Sequence, residues 1–203
     1  MRLGVMGGTF DPIHIGHLVT AEEARFQFGL EKVIFIPSAH PPHKTGDLQS
    51  PAEDRIRMIQ LAIEGNPANG VSDMEIIRPG LSYTIDTMRE LHRIHGAETE
   101  LYFITGADAI LEILTWKDPE ELLAEGWFIA ATRPGYPLSK LSEILPEFNS
   151  AGEKAMKRVC AMEIPALAIS STDIRERVAE GRPFRYLVPE TVWAYIKNRG
   201  LYL

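Results

Sequence analysis

The sequence predicts an α/β fold, a mostly parallel sheet wound on both faces by helices. Two observations carry this. Short, wholly apolar runs such as Val33-Ile34-Phe35-Ile36 and Leu101-Tyr102-Phe103-Ile104 have the pattern of strands covered on both sides. Between them lie longer runs with helix caps, helix stops and apolar residues at helical spacing, so strand and helix alternate along the chain. A third observation concerns place: polar clusters follow the strands at residues 7–17, 40–44, 106–108, 133 and 170–175. Ligands of open parallel sheets bind beyond the carboxyl ends of the strands, so these clusters are expected on one rim.

Leu3-Gly4-Val5-Met6 reads as the first strand. It breaks at Gly7-Gly8, and a helix follows from about Leu18 to Phe28, stopped by Gly29. The second strand, 33–36, ends in a proline-framed loop reaching Lys44. Ser50, with Pro51 behind it and Glu53 three residues on, reads as a serine cap opening a helix. Residues 71–77 read as a weaker strand, and Ser82-Tyr83-Thr84 opens a helix with Ile85, Met88, Leu91 and Ile94 as its apolar stripe. The strand 101–104 leads through Gly106 into a short helix, and Asp118-Pro119 starts another over 120–124. Strands follow at 128–131 and 159–164, with a helix expected over 138–145 and a polar connection over 149–154. Helices from Ser170 to about Ala179 and from Pro189 to the stop at Gly200 close the chain.

Composition narrows the function classes. The 203 residues are 45% hydrophobic and 24% charged, an ordinary globular balance that one domain over 1–203 accommodates. A net charge of −7 argues against a broad grip on nucleic acid, while leaving room for small anionic substrates held by local cations. The one cysteine, Cys160, excludes an internal disulfide, fits a reducing compartment and reads as a core thiol in a buried strand. No apolar run approaches the roughly 20 residues of a membrane span. A cytoplasmic location is expected.

The stretch Gly7-Gly8-Thr9-Phe10-Asp11-Pro12-Ile13-His14-Ile15-Gly16-His17 is the centre of the sequence. Strand, glycine turn and helix start form a natural phosphate cradle, through close backbone approach and the positive end of a helix dipole. His14 and His17 are three apart and share a helix face, where they would meet phosphate oxygens and steady charge on a transferring phosphoryl group. The turn lacks G-x-G-x-x-G and no acid follows the second strand, so a redox dinucleotide is not indicated; the P-loop pattern is also absent. A protein-held metal would need a third ligand, and no H-E-x-x-H or Cys/His pairing supplies one. Ser170, Ser171 and Thr172 read either as a plain helix cap or as a second anion site, with Arg175 one turn in. Lys44 reads as a solvated loop lysine or a phosphate partner, Asp108 as a cap or a ligand contact. Trp116 reads as core or as a ring that stacks a flat heterocycle.

These residues resemble a known family. Gly7-Gly8-Thr9-Phe10-Asp11-Pro12 with His14-x-Gly16-His17, and Ile169-Ser170-Ser171-Thr172-x-Ile174-Arg175, resemble the nucleotidylyltransferase superfamily. Pro41-Pro42-His43-Lys44, Ser82-Tyr83-Thr84, Gly106-Ala107-Asp108, Thr115-Trp116 and Arg133-Pro134-Gly135-Tyr136 are similar to segments of bacterial nicotinate-nucleotide adenylyltransferases. The resemblance implies a Rossmann-like domain that joins nicotinate mononucleotide to ATP, giving deamido-NAD and pyrophosphate by in-line attack without a covalent intermediate. It implies that Gly8, Thr9 and Phe10 cradle nucleotide by backbone contact. His14, His17 and Arg175 would be catalytic. ATP would also meet Gly106, Asp108, Ile169, Ser171 and Thr172. Lys44, Thr84, Trp116, Lys117 and Arg133 would meet the second substrate, with Lys117 acting through its backbone. Mg²⁺ would arrive on the ATP phosphates. Where relatives carry tyrosine after the tryptophan, this chain has Lys117. The partners implied are small molecules, with self-association open. The rivals are an adenylyltransferase for nicotinamide mononucleotide or phosphopantetheine, and an ATP sensor without turnover. An aminoacyl-tRNA synthetase shares His-Ile-Gly-His, but its Lys-Met-Ser-Lys-Ser loop is missing.

Overall fold

The computed structural model describes residues 1–41, 50–132, 158–165 and 168–203. The strands are β1 (Arg2–Gly8), β2 (Lys32–Pro37), β3 (Asn69–Val71), β4 (Glu100–Gly106), β5 (Trp127–Thr132) and β6 (Val159–Glu163). They form one sheet in the order β3-β2-β1-β4-β5-β6, every neighbouring pair parallel. The helices are α1 (Ile15–Gln27), α2 (Ala52–Ile63), α3 (Met74–Ile77), α4 (Thr84–His95), α5 (Ala107–Leu111), α6 (Pro119–Glu125), α7 (Ser171–Ala179) and α8 (Glu190–Arg199).

The apolar strands are explained by burial on both faces. Side chains of successive strand residues point to opposite faces. In β4, Tyr102 and Ile104 enter one core with α1, α2, α7 and α8, while Leu101 and Phe103 enter another with α4, α5 and α6. β1, β2 and β5 divide in the same way: Met6, Phe35 and Ile129 lie on the first side, and Val5, Ile36 and Phe128 on the second. The chain winds from β1 outward to β3, then crosses back to β4 on the other side of β1. The loops leaving β1 and β4 therefore diverge, and the crevice between them is where such a sheet binds ligands.

Several elements depart from the expectations. The weak strand over 71–77 is strand only through Val71. Ser72 N–H closes the ladder on the Phe35 carbonyl, and Met74–Ile77 is a helical turn with Ile77 73% exposed. Ile94 leaves the α4 stripe and is exposed; Ile85, Thr87, Met88 and Leu91 face the core. Ser50 does not cap α2. The N-cap is Pro51, and the Ser50 hydroxyl turns to Asp11 of the glycine-rich loop. β6 is an edge strand in which only Met162 is fully buried, so Cys160 is half-buried rather than a core thiol. The helix expected over 138–145 and the connection over 149–154 lie outside the described residues. No described helix is long and apolar enough to cross a membrane.

Candidate active site

β1 delivers Gly7 and Gly8 to the rim between β2 and β4. A Cβ on Gly7 would lie 2.8 Å from the Phe103 ring, so glycine lets the turn sit against β4. Phe10 then takes a left-handed backbone (φ 50°) and buries its ring, edge-on to both His17 and Phe35. The loop reaches α1 at His14, its N-cap.

The two histidines stack, with ring centroids 3.7 Å apart and planes 23° apart. The backbone N–H of His14 donates to His17 Nδ1 at 3.2 Å. That nitrogen is therefore the acceptor, and in a neutral His17 the proton lies on Nε2. His14 is 7% exposed, and its Nδ1 is buried with no hydrogen-bond partner among the described residues. Burial pushes its pKa down to about 4, so at neutral pH it is an uncharged imidazole. Gly16 makes the stack possible, since a Cβ there would lie 3.0 Å from His14 Nδ1.

Across the rim, α7 begins beside the same loop. Ser170 is its cap, accepting from the Asp173 N–H at 3.1 Å. Ser171 Oγ donates to the Pro12 carbonyl at 2.8 Å, and Arg175 Nη1 donates to the Asp11 carbonyl at 2.8 Å. Arg175 Nη2 reaches Thr172 Oγ1 at 3.3 Å. The Ser170–Arg175 cluster is thus bonded to the first loop, although some 160 residues separate them in sequence.

One cavity of about 650 Å³ lies between these parts. Gly8, Thr9, His14 and His17 line it from β1 and α1, and Gly106 and Asp108 from the end of β4 and the start of α5. Ile169, Ser171, Thr172 and Arg175 line it from the third side. Ten of the predicted site residues therefore converge. Phe10 is not in the wall; its ring is under His17. Thr84, Trp116 and Lys117 are also outside this cavity. Trp116 packs edge-on against Phe103, centroids 5.9 Å apart, and Phe103 backs Gly7, so one ring separates the tryptophan from the glycine turn. Lys117 Nζ bonds Asp86 at 3.0 Å and lies 4.8 Å over the Tyr83 ring, beside Thr84 at the start of α4. Lys44 and Arg133 lie outside the described residues.

Sequence reasoning missed Thr20 and Thr105 in the wall. Thr20 was within reach: it lies one turn after His17, and its hydroxyl is tied to the Gly16 carbonyl at 2.8 Å. It also missed Arg55, 2% exposed, whose Nη1 donates to the carbonyls of Thr9 (2.9 Å) and Ser38 (2.7 Å), holding the loop from below. No local signal marks such a residue, because an arginine on a helix normally faces water. Among the described residues no group of His, Cys, Asp and Glu side chains has the makings of a metal cage.

The family model for cytidylyltransferase-like proteins matches residues 5–177. A protein of Moorella thermoacetica named "Probable nicotinate-nucleotide adenylyltransferase" is 58% identical over 201 residues, covering 99% of this chain and 91% of its own. One of the same name from Thermoanaerobacter sp. (strain X514) is 53% identical over 202 residues, covering 100% and 94%. Among solved structures, a Plasmodium falciparum nicotinic acid mononucleotide adenylyltransferase complexed with NaAD superposes with a TM-score of 0.76 at 21% identity, covering 99% of this chain and 97% of that one. That likeness speaks for the fold. The glycine turn, the stacked histidines and Arg175 all fall within the matched span, and the chain belongs to the cytidylyltransferase-like family, among relatives named as nicotinate-nucleotide adenylyltransferases.

Proposed function

We propose that this chain transfers the adenylyl group of ATP to nicotinate mononucleotide, forming deamido-NAD and releasing pyrophosphate. The observation that carries the proposal is the meeting of the His14–His17 pair and the α7 N-terminus on one cavity at the β1/β4 crossing. Two anion-seeking elements facing each other suit a polyphosphate better than a single phosphate. The relatives at 53–58% identity support the acid mononucleotide as the acceptor.

In this reading the β1 turn receives the α-phosphate. The mononucleotide 5′-phosphate oxygen attacks the α-phosphorus as the bond to the bridging α–β oxygen breaks. His17 Nε2–H donates to an α-phosphate oxygen, and its value rises as charge spreads over the equatorial oxygens. His14 supplies its buried ring as the second polar contact. Thr172, Arg175 and the first N–H groups of α7 hold the β- and γ-phosphates, which leave together. Asp108, which lines the cavity beyond β4, would accept from ribose hydroxyls. Ile169 offers an apolar edge to the adenine. Mg²⁺, carried by the triphosphate oxygens, would offset charge there. Trp116 and the backbone of Lys117, one ring away behind Phe103, form the pyridine end. Gly8 and Thr9 contribute by backbone from the cavity wall, and Phe10, outside that wall, supports His17 with its ring.

The test is pyrophosphate release from ATP with nicotinate mononucleotide, nicotinamide mononucleotide and phosphopantetheine offered separately. Release with the nicotinate compound well above the other two is expected. Release only with another acceptor would overturn the substrate assignment, and ATP binding without release to any of them would leave a sensor.

A further inference from the structure

The loop between Gly8 and His14 carries no regular structure, yet it must hold both the glycine turn and the histidine pair in place. It is propped mainly by side chains distant in sequence. Ser171 and Arg175 grip the Pro12 and Asp11 carbonyls, and Arg55 grips that of Thr9. The carboxylate of Asp11, 2% exposed, enters a buried node. There Asp11 Oδ1 accepts from Ser50 Oγ at 2.5 Å and from the Tyr202 hydroxyl at 2.7 Å, and the two hydroxyl oxygens are 3.2 Å apart.

Tyr202 reaches this node by an unusual route. After α8 the backbone turns left-handed at Gly200 (φ 62°) and again at Tyr202 itself (φ 68°). The second is uncommon for a residue with a Cβ and costs energy that the surroundings must offset. The offset is visible: the ring is 9% exposed in the core with α1 and α2, and its hydroxyl finds a charged acceptor. Burial, with Asp11 beside it, pushes the phenol pKa far up, so Tyr202 remains a donor throughout the range in which the protein is handled.

We propose that Tyr202 is a positioning residue for ATP: its hydroxyl, through Asp11, fixes the loop that aims Gly8, His14 and Arg175 at the polyphosphate. The mechanism is geometric. Asp11 offers its carboxylate to Tyr202 and Ser50 and its carbonyl to Arg175, so one residue transmits the position of α8 to both anion-binding elements. Loss of the hydroxyl removes one of the donors that set the position of the Asp11 carboxylate, and a shift of that side chain carries the carbonyl that holds Arg175 with it. The inference rests on ATP occupying this cavity, as in the proposed function, and does not depend on which acceptor is used.

A matched control exists on α8. The Tyr195 hydroxyl of α8 donates to Asp54 Oδ1 of α2 at 2.6 Å, a second tyrosine–aspartate bond, and Asp54 is additionally held by Arg199. The experiment measures the ATP dissociation constant by calorimetry, Tm, and KM for each substrate in Y202F, S50A, Y195F and the unaltered chain. Y202F is expected to weaken ATP about tenfold, the scale of one hydrogen bond to a charged group, and to leave KM for nicotinate mononucleotide unchanged. S50A, which removes the other donor to the same oxygen, should weaken ATP in the same direction even if Y202F fails to fold. Y195F should lower Tm without moving ATP affinity. The proposal is overturned if Y202F or S50A lowers Tm while binding ATP as tightly as the unaltered chain, or if Y195F weakens ATP to the same extent. An unaltered chain that binds ATP but releases no pyrophosphate refutes the acceptor assignment alone; one that binds no ATP refutes both.

Discussion

His14 offers the sharpest physical test, because its burial has a consequence for stability as a function of pH. Its folded pKa is lowered from the ordinary 6.5 to about 4. The folded state therefore binds a proton less readily than the unfolded state, and stability contributed by this residue rises with pH. The contribution is fully present above about pH 6.5 and is lost as pH falls from there towards 4. A separation of about 2.5 units is worth about 3 kcal/mol below both values, since each unit is about 1.4 kcal/mol. At pH 5 the linkage gives a loss of about 2 kcal/mol relative to neutral pH, and at pH 6 a loss of about 0.7 kcal/mol. His14→Gln keeps a polar side chain without a titrating ring. Urea unfolding at pH 5, 6, 7 and 8 should show the unaltered protein losing about 2 kcal/mol more than the variant between pH 8 and 5. The readout is the difference in slope, so any fixed cost of the substitution cancels, as does the titration of the other carboxylates and histidines. Parallel pH profiles for the two proteins would refute the assignment of a buried, neutral His14. Saturating ATP should shrink the difference, because phosphate beside the ring favours its charged form.

Three further outcomes follow from the same geometry. His17→Ala should lower kcat by about 10²–10³, the scale of one lost oxyanion donor, with Tm little changed; near-normal turnover would remove His17 from the chemistry. Trp116→Ala should raise KM for the mononucleotide far more than KM for ATP, read from initial rates with each substrate varied; equal effects would make the ring packing for Phe103 only. Arg55→Met leaves the Thr9 and Ser38 carbonyls without their buried donor, at about 1–3 kcal/mol each. A Tm lower by roughly 5 °C or more is expected, together with weaker ATP binding; a thermal scan with and without ATP reads both.

How much of this was legible in the sequence differs by element. The all-apolar strands, their alternation with helices and the glycine break after Met6 were enough for a parallel sheet, because burial on both faces leaves strands with no polar positions. The short edge strand at 69–71 was misread, since an edge position needs only three paired residues and the apolar residues beyond it serve a helical turn. Ser50 was misread for a different reason. A serine before proline has the local pattern of a cap, and nothing local says that a buried carboxylate 39 residues away will claim its hydroxyl. The same holds for Arg55 and Tyr202, whose sequence surroundings mark neither as a support of the site.

The sequence by itself determined the fold class, the polar clusters at 7–17 and 169–175 that the cavity brings together, and the residue types proposed to act in transfer. Local chemistry suffices there: glycine for close approach, a helix start for anions, histidines three apart on one face. Only the tertiary structure decided that His14 and His17 stack, that burial keeps His14 uncharged, and that α7 and α8 are bonded into the loop that carries them. The bonds into the loop join residues 164 and 191 apart, and the burial of His14 is a desolvation by the packed fold, neither of which a single stretch of chain encodes.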